Sequence, residues 1–177
     1  MIKKIFRFGL IISLKLHSFF YKLSSYLAIK YEGYHPKHRI IKYADWFDSK
    51  IDQSAVIIDV GSNKGQMTQI LAKPKHRLVY GIEIEPDYHS EAMLSNTKPN
   101  LHFILADATE YDYTNIERVD VITLSNVLEH IEHRGRFLSA LVGACRWSSA
   151  GPRILVRVPA IDREWPVIMK KELQIEY

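Results

Sequence analysis

Val56-Ile57-Ile58-Asp59-Val60-Gly61-Ser62-Asn63-Lys64-Gly65-Gln66-Met67-Thr68 passes from a short apolar run through an acid, across a glycine turn and into polar, helix-compatible sequence. It reads as a strand, a tight turn and a helix, the unit with which α/β proteins hold a nucleotide-like ligand. Gly61 and Gly65 let the backbone turn sharply and let a ligand approach with no Cβ in the way. Asp59, at the strand's carboxyl end, is placed to accept hydrogen bonds from a cationic or hydroxyl-bearing ligand.

Three more apolar runs follow, each closed by a polar residue. Leu78-Val79-Tyr80-Gly81-Ile82 ends at Glu83, a distance from the turn that suits a two-oxygen grip on ribose hydroxyls. Leu101-His102-Phe103-Ile104-Leu105-Ala106 ends at Asp107, near the rim where an adenine ring would lie. Val119-Asp120-Val121-Ile122-Thr123-Leu124 ends at Ser125-Asn126 and runs into Val127-Leu128-Glu129-His130-Ile131. Any one polar tip serves equally well as a helix cap or a solvated loop residue. Four in order predict a cluster along the carboxyl edge of a parallel sheet, where such sheets bind ligands. A dinucleotide dehydrogenase would want Gly-x-Gly-x-x-Gly, which Gly61, Asn63, Gly65 and Gln66 do not supply. Lys64-Gly65 reverses the Gly-Lys order of a phosphate-cradling loop.

On these four motifs, which run from Val56 to Pro159, the chain resembles the class I S-adenosylmethionine-dependent methyltransferases. That family opens on an acidic-x-Gly-x-Gly-x-Gly turn, matched by Asp59-Val60-Gly61-Ser62-Asn63-Lys64-Gly65. Asn63 stands where the middle glycine falls, and asparagine tolerates the positive φ such a turn requires. The resemblance implies S-adenosylmethionine as cofactor. It assigns Asp59, Gly61, Ser62, Asn63 and Gly65 to the first contact segment and Glu83 to the ribose, with Ile84 beside it among the cofactor-binding residues. It assigns Asp107 and the Ala108 backbone N–H to the adenine, and Ser125 with Asn126 to the segment after the fourth strand.

Apolar residues make up 47% of the 177, which fits one globular core rather than a disordered chain or a membrane bundle. Cys145 is the single cysteine, so no internal disulfide forms, and a reducing cytoplasm is the expected compartment. It lies in a helix-like apolar run and reads as a packing residue. The net charge is a modest +4, with much of the basic excess before Lys42. The amino terminus resembles a signal peptide only superficially. Lys15 and His17 interrupt a short apolar core, no convincing cleavage site follows, and a spanning helix needs roughly twenty apolar residues. Residues 2–30 read as one or two basic amphipathic helices, either packed over the sheet or touching the inner face of a membrane.

The expected organisation is an N-terminal helical lid over residues 1–50 and a cofactor-binding domain over 51–177. Strands are expected near 56–60, 78–83, 101–106, 119–125 and 153–158. Helices fill 65–73, 87–96 and 134–147, with a short one at 127–131. This alternation predicts an α/β, Rossmann-like, mostly parallel sheet with helices on both faces. The segment Gly33–Tyr43, with His35, His38 and Arg39, leads into a helix ending near Phe47. It serves as a polar helix start or as a contact for the cofactor's carboxylate. The class I fold carries two further strands, and the 18 residues after Pro159 leave no room for them. A short form, a truncation or a fragment is expected, with an unpaired edge at the fifth strand.

An oxygen nucleophile needs a general base, and His130, just after the fourth strand, is the candidate; the alternative is a histidine that packs the loop. Asn126-Val127-Leu128-Glu129-His130 also resembles the Glu-x-x-Glu-His run of ubiquinone-pathway and small-RNA methyltransferases. Asn126 replaces its first carboxylate, so no metal is expected. The stretch Arg157–Trp165, like His35–Ile40, resembles methyltransferases encoded with surface-polysaccharide genes. That resemblance implies a glycan or nucleotide-sugar acceptor, with Trp165 stacking on a ring and Arg157 or Arg163 binding phosphate. No basic, aromatic-rich stripe or base-flipping motif points to nucleic acid. The expected function is O-methylation of a small molecule or glycan. The alternative is a non-catalytic cofactor-binding or partner subunit.

Overall fold

The computed structural model describes residues 2–32 and 42–159, together with Pro166, Lys170 and Leu173. His35, His38 and Arg39, and likewise Arg163 and Trp165, lie outside the described residues, as does most of the helix expected over 167–172. The chain divides into two compact units, Tyr43–Val158 and Met1–Lys42 with Pro159–Tyr177.

The first unit is built on five strands: β1 (Val56–Val60), β2 (Leu78–Glu83), β3 (Leu101–Leu105), β4 (Val121–Ser125) and β5 (Ile154–Arg157). All pair in parallel, in the order β3-β2-β1-β4-β5. The chain steps outward from β1 to β3 and then returns to lay β4 against the free side of β1. The order therefore reverses between β1 and β4, and a crevice opens beyond their carboxyl ends. Val56-Ile57-Ile58 can sit at the centre because β-branched side chains suit a strand covered on both faces.

Period-two alternation sends neighbouring residues of one strand to opposite cores. Ile58, Val60, Ile122 and Leu124 pack with Phe137, Leu141 and Cys145 on one face. Phe137 and Leu141 come from α5 (Arg134–Ala144). Ile57, Val79 and Val121 pack on the other face with Phe47 of α2 (Tyr43–Ser49) and Met67 and Leu71 of α3 (Gln66–Leu71). α4 (Pro86–Ser95) starts at a proline, which fits a first helical turn that needs no N–H donor. Helices thus cover both faces, as the alternation predicts. α2 falls in the segment that the sequence groups with the amino terminus, yet Phe47 is fully buried in the sheet's own core.

Outside β1 and β2, most boundaries shift by one to three residues from the sequence reading. β4 starts at Val121 rather than Val119, because Asp120 turns its carboxylate to the Val56 N–H (2.8 Å) and to Arg118. Val119 instead forms an isolated bridge with Trp147, and that pairing ends α5 at Ala144 rather than at residue 147. The short helix expected at 127–131 is a single 3-10 turn, Leu128–His130.

In the second unit, α1 (Ile2–Glu32) is one helix of 31 residues. No helix among the described residues is long and apolar enough to cross a membrane.

Candidate functional site

A cleft of about 570 Å³ opens beyond the carboxyl ends of β1 to β4, a size ordinary for small-molecule sites. It gathers residues from each strand's exit: Gly61 and Asn63 after β1, Glu83 and Ile84 after β2, Asp107 and Ala108 after β3, and Asn126 and His130 after β4. Seven of the eleven expected cofactor residues, and the expected base, therefore meet on one surface. Asp59, Ser62, Gly65 and Ser125 are not among the lining residues. Val127, Thr109, Ile131 and Glu132 line the cleft as well, four residues for which the sequence predicts no role.

The turn after β1 is held open by three left-handed residues and one buried acid. Gly61 has φ 72°, and a Cβ there would run into Val127 Cγ2. Asn63 has φ 51°, so the asparagine takes the conformation that the family pattern gives to glycine. Its N–H donates to Glu83 Oε2 at 2.6 Å, while the Glu85 N–H donates to Oε1 at 2.9 Å. Glu83 is thereby clamped between two turns at 6% exposure, with its remaining lone pairs available at the cleft wall. Gly65, at φ 78°, sits under Phe103, whose Cζ would lie 2.5 Å from an added Cβ.

Asp107 is exposed and folds back locally, Oδ1 accepting from the Thr109 N–H and hydroxyl, each at 2.8 Å. Ala108 is fixed through its carbonyl, which accepts from the Tyr113 hydroxyl at 2.8 Å. Asn126 is a further left-handed residue, φ 58°. Its Oδ1 accepts from Arg157 Nη1 at 2.7 Å, and the same guanidinium lies 4.9 Å from the Tyr43 ring centre. Arg157, expected at an acceptor phosphate, is thus engaged within the protein. His130 is largely exposed at the cleft, with one ring nitrogen 4.0 Å from the Glu129 carboxylate. Among the described residues no group of three or more His, Cys, Asp or Glu is arranged to hold a metal ion.

Asp59 takes a different role from the direct ligand contact its position suggests. It is 1% exposed, on the α3 side of β1, and both oxygens are occupied. The Thr68 hydroxyl of α3 donates to one and the Thr123 hydroxyl of β4 to the other, each at 2.7 Å. One carboxylate therefore fastens β1, β4 and α3 together directly beneath the turn. Burial pushes its pKa up to about 6; the two hydroxyl bonds oppose this and the nearby Glu83 charge adds to it. Ser62, beside it in the turn, is buried, and its hydroxyl makes no hydrogen bond. A polar Thr123 in the middle of an apolar strand, in register with Asp59, was the one sequence signal for this arrangement.

Residues 58–147, just over half of the chain, match the family model described as Methyltransferase domain. The chain belongs to that family. No curated protein matches this methyltransferase domain. Solved structures share its fold at low identity. The N-terminal domain of EvdMO1 with SAH (S-adenosylhomocysteine) bound has a TM-score of 0.55 and 18% identity, over 65% of this chain and 47% of that one. Coclaurine N-methyltransferase bound to N-methylheliamine and SAH has a TM-score of 0.56 and 20% identity, over 63% and 34%. Magnesium protoporphyrin IX methyltransferase from Synechocystis PCC 6803 with bound SAH has a TM-score of 0.50 and 19% identity, over 62% and 51%. This chain thus spans about half or less of the length of each. The family, and the SAH carried by these structures, support S-adenosylmethionine as the cofactor.

Proposed function

We propose that the methyltransferase domain binds S-adenosylmethionine in the cleft beyond β1 to β4 and methylates an oxygen of a small-molecule or glycan acceptor. The observation that carries this reading is the meeting of Gly61, Asn63, Glu83, Asp107 and Asn126 on one cleft in a chain of this family. The donor set fits the group. Glu83 offers a clamped carboxylate for ribose hydroxyls, Asp107 a carboxylate for an exocyclic amine, and Ile84, Val127 and Ile131 apolar walls for a ring. Asp59, Ser62, Gly65 and Ser125 act in this reading from behind the surface, by shaping the turn and the β4 exit. The bound cofactor supplies a sulfonium methyl that is already electrophilic, so alignment of the acceptor provides most of the acceleration. His130, at the cleft and open to solvent, accepts the proton that the acceptor hydroxyl loses. A single unpaired cysteine fits a cytoplasmic setting.

Calorimetric titration with S-adenosylhomocysteine tests the cofactor half. The folded chain should bind it saturably, and Glu83→Gln should weaken binding by roughly 10–100-fold through loss of charge-assisted hydrogen bonds. Absence of binding to the folded chain rejects the proposal. In an acceptor screen that starts with nucleotide sugars, His130→Ala should retain cofactor affinity and lower kcat by about 10²–10⁴. A non-catalytic partner subunit is favoured by one observation: β5 ends the sheet, and no strand among the described residues covers its outer side. Cofactor binding with no transfer to any acceptor would support that second reading.

A further inference from the structure

We infer that α1 is an interfacial helix that lies in the surface of a bilayer containing anionic phospholipid. The helix is covered on one side and bare on the other. At about 100° per residue, Leu10, Ile11, Leu14, Ser18, Ser25 and Ala28 share one side of α1, and these are its less exposed positions, Leu14 at 3%. The opposite side carries Ile2, Ile5, Phe6, Leu16, Phe20 and Leu27, all more than half exposed, Phe6 at 73%. A globular surface scatters single apolar side chains; a continuous apolar face of this length marks a docking surface.

Charge selects the occupant. From Ile2 to Tyr31 the helix holds Lys3, Lys4, Arg7, Lys15, Lys22 and Lys30 and no Asp or Glu. Lys4, Lys15 and Lys22 fall together on the flank between the covered side and the bare face, where their stems can lie along the helix and their ammonium groups reach outward. This pattern is complementary to acyl chains edged by phosphate headgroups. A second copy of the helix is a poor match, because a shared seam would oppose these lysines, and the one carboxylate of the helix, Glu32, is its last residue. The six cations also keep the helix from crossing a bilayer, and it is too polar to span one, so it lies in the plane.

Co-sedimentation of the full chain with vesicles tests this. Vesicles of phosphatidylcholine and phosphatidylglycerol in equal parts should carry the protein down, and vesicles of phosphatidylcholine alone should not. Raised salt should weaken the binding. Lys4→Gln/Lys15→Gln/Lys22→Gln should cost roughly 100-fold in partitioning, from about 1 kcal/mol for each lysine. Phe6→Glu/Phe20→Glu should abolish it while leaving the circular dichroism spectrum unchanged, since both side chains are exposed. The inference is overturned if the wild-type chain stays in the supernatant, or if it binds neutral and anionic vesicles equally. It is also overturned if both variants bind as the wild type does, or if sedimentation shows a dimer that Phe6→Glu/Phe20→Glu disperses.

Discussion

Asp59 holds a negative charge where water cannot reach it, and the two threonine hydroxyls compensate only part of the cost of ionising it. Its folded pKa of about 6 stands above the ordinary 3.8, so the folded chain holds this proton more tightly than the unfolded one. The stability it contributes is complete below about pH 4. It is lost as pH rises to about 6, and above that the ionised form weighs on the fold by roughly 3 kcal/mol. Asp59→Asn should flatten that part of the stability profile and raise Tm near neutral pH, read by thermal melts across the range. One threonine hydroxyl can turn to accept from the new amide NH2 while the other still donates to its oxygen. Gly65→Ala should act in the opposite direction. It places a methyl against Phe103 in a left-handed backbone, for a loss of about 1–3 kcal/mol in urea unfolding. At this scale the glycines, Glu83 and Asp107 were legible because spacing along the chain locates them. Thr68 was not legible, because its part is set by which side chain lies below it in three dimensions.

Arg77, which no motif marks, ties elements together on the α2 side. Its side chain is 0% exposed. It donates to the carbonyls of Asp48, Ile51, Asp52 and Leu71 and to the Asp48 carboxylate. The end of α2, the loop before β1 and the end of α3 are thus joined through one guanidinium at the entry to β2. Arg77→Met keeps much of the volume and leaves those carbonyls without donors. We expect a loss of about 3 kcal/mol or more, seen as a lower urea midpoint with an unchanged slope. Strand and helix existence was legible from period and punctuation, and β1 and β2 begin and end where the pattern puts them. The ends of β4 and α5 were not legible. They depend on the Val119–Trp147 bridge and on the Asp120 carboxylate, contacts between segments far apart in sequence.

At the scale of the molecule, both apolar cores found among the described residues lie between Tyr43 and Val158. A chain restricted to residues 43–158 should therefore retain a cooperative thermal transition. A broad, non-cooperative melt would show that the remaining residues are needed to complete the fold. The parallel sheet was legible as a whole because its strands alternate with helical segments; the neighbour of β1 across the switch was legible only by analogy with such folds. That neighbour has a consequence in time. Thr123 follows Asp59 by 64 residues, and a ribosome adding roughly 5–20 residues per second needs about 3–13 s to make that stretch. For those seconds the nascent chain exposes one flank of β1, with Ile57 and Ile58 uncovered and Asp59 lacking its second hydroxyl. β1 must therefore be kept from pairing with any other strand until β4 has left the exit tunnel, and the charge at Asp59, set among isoleucines and valines, discourages such mispairing while translation finishes.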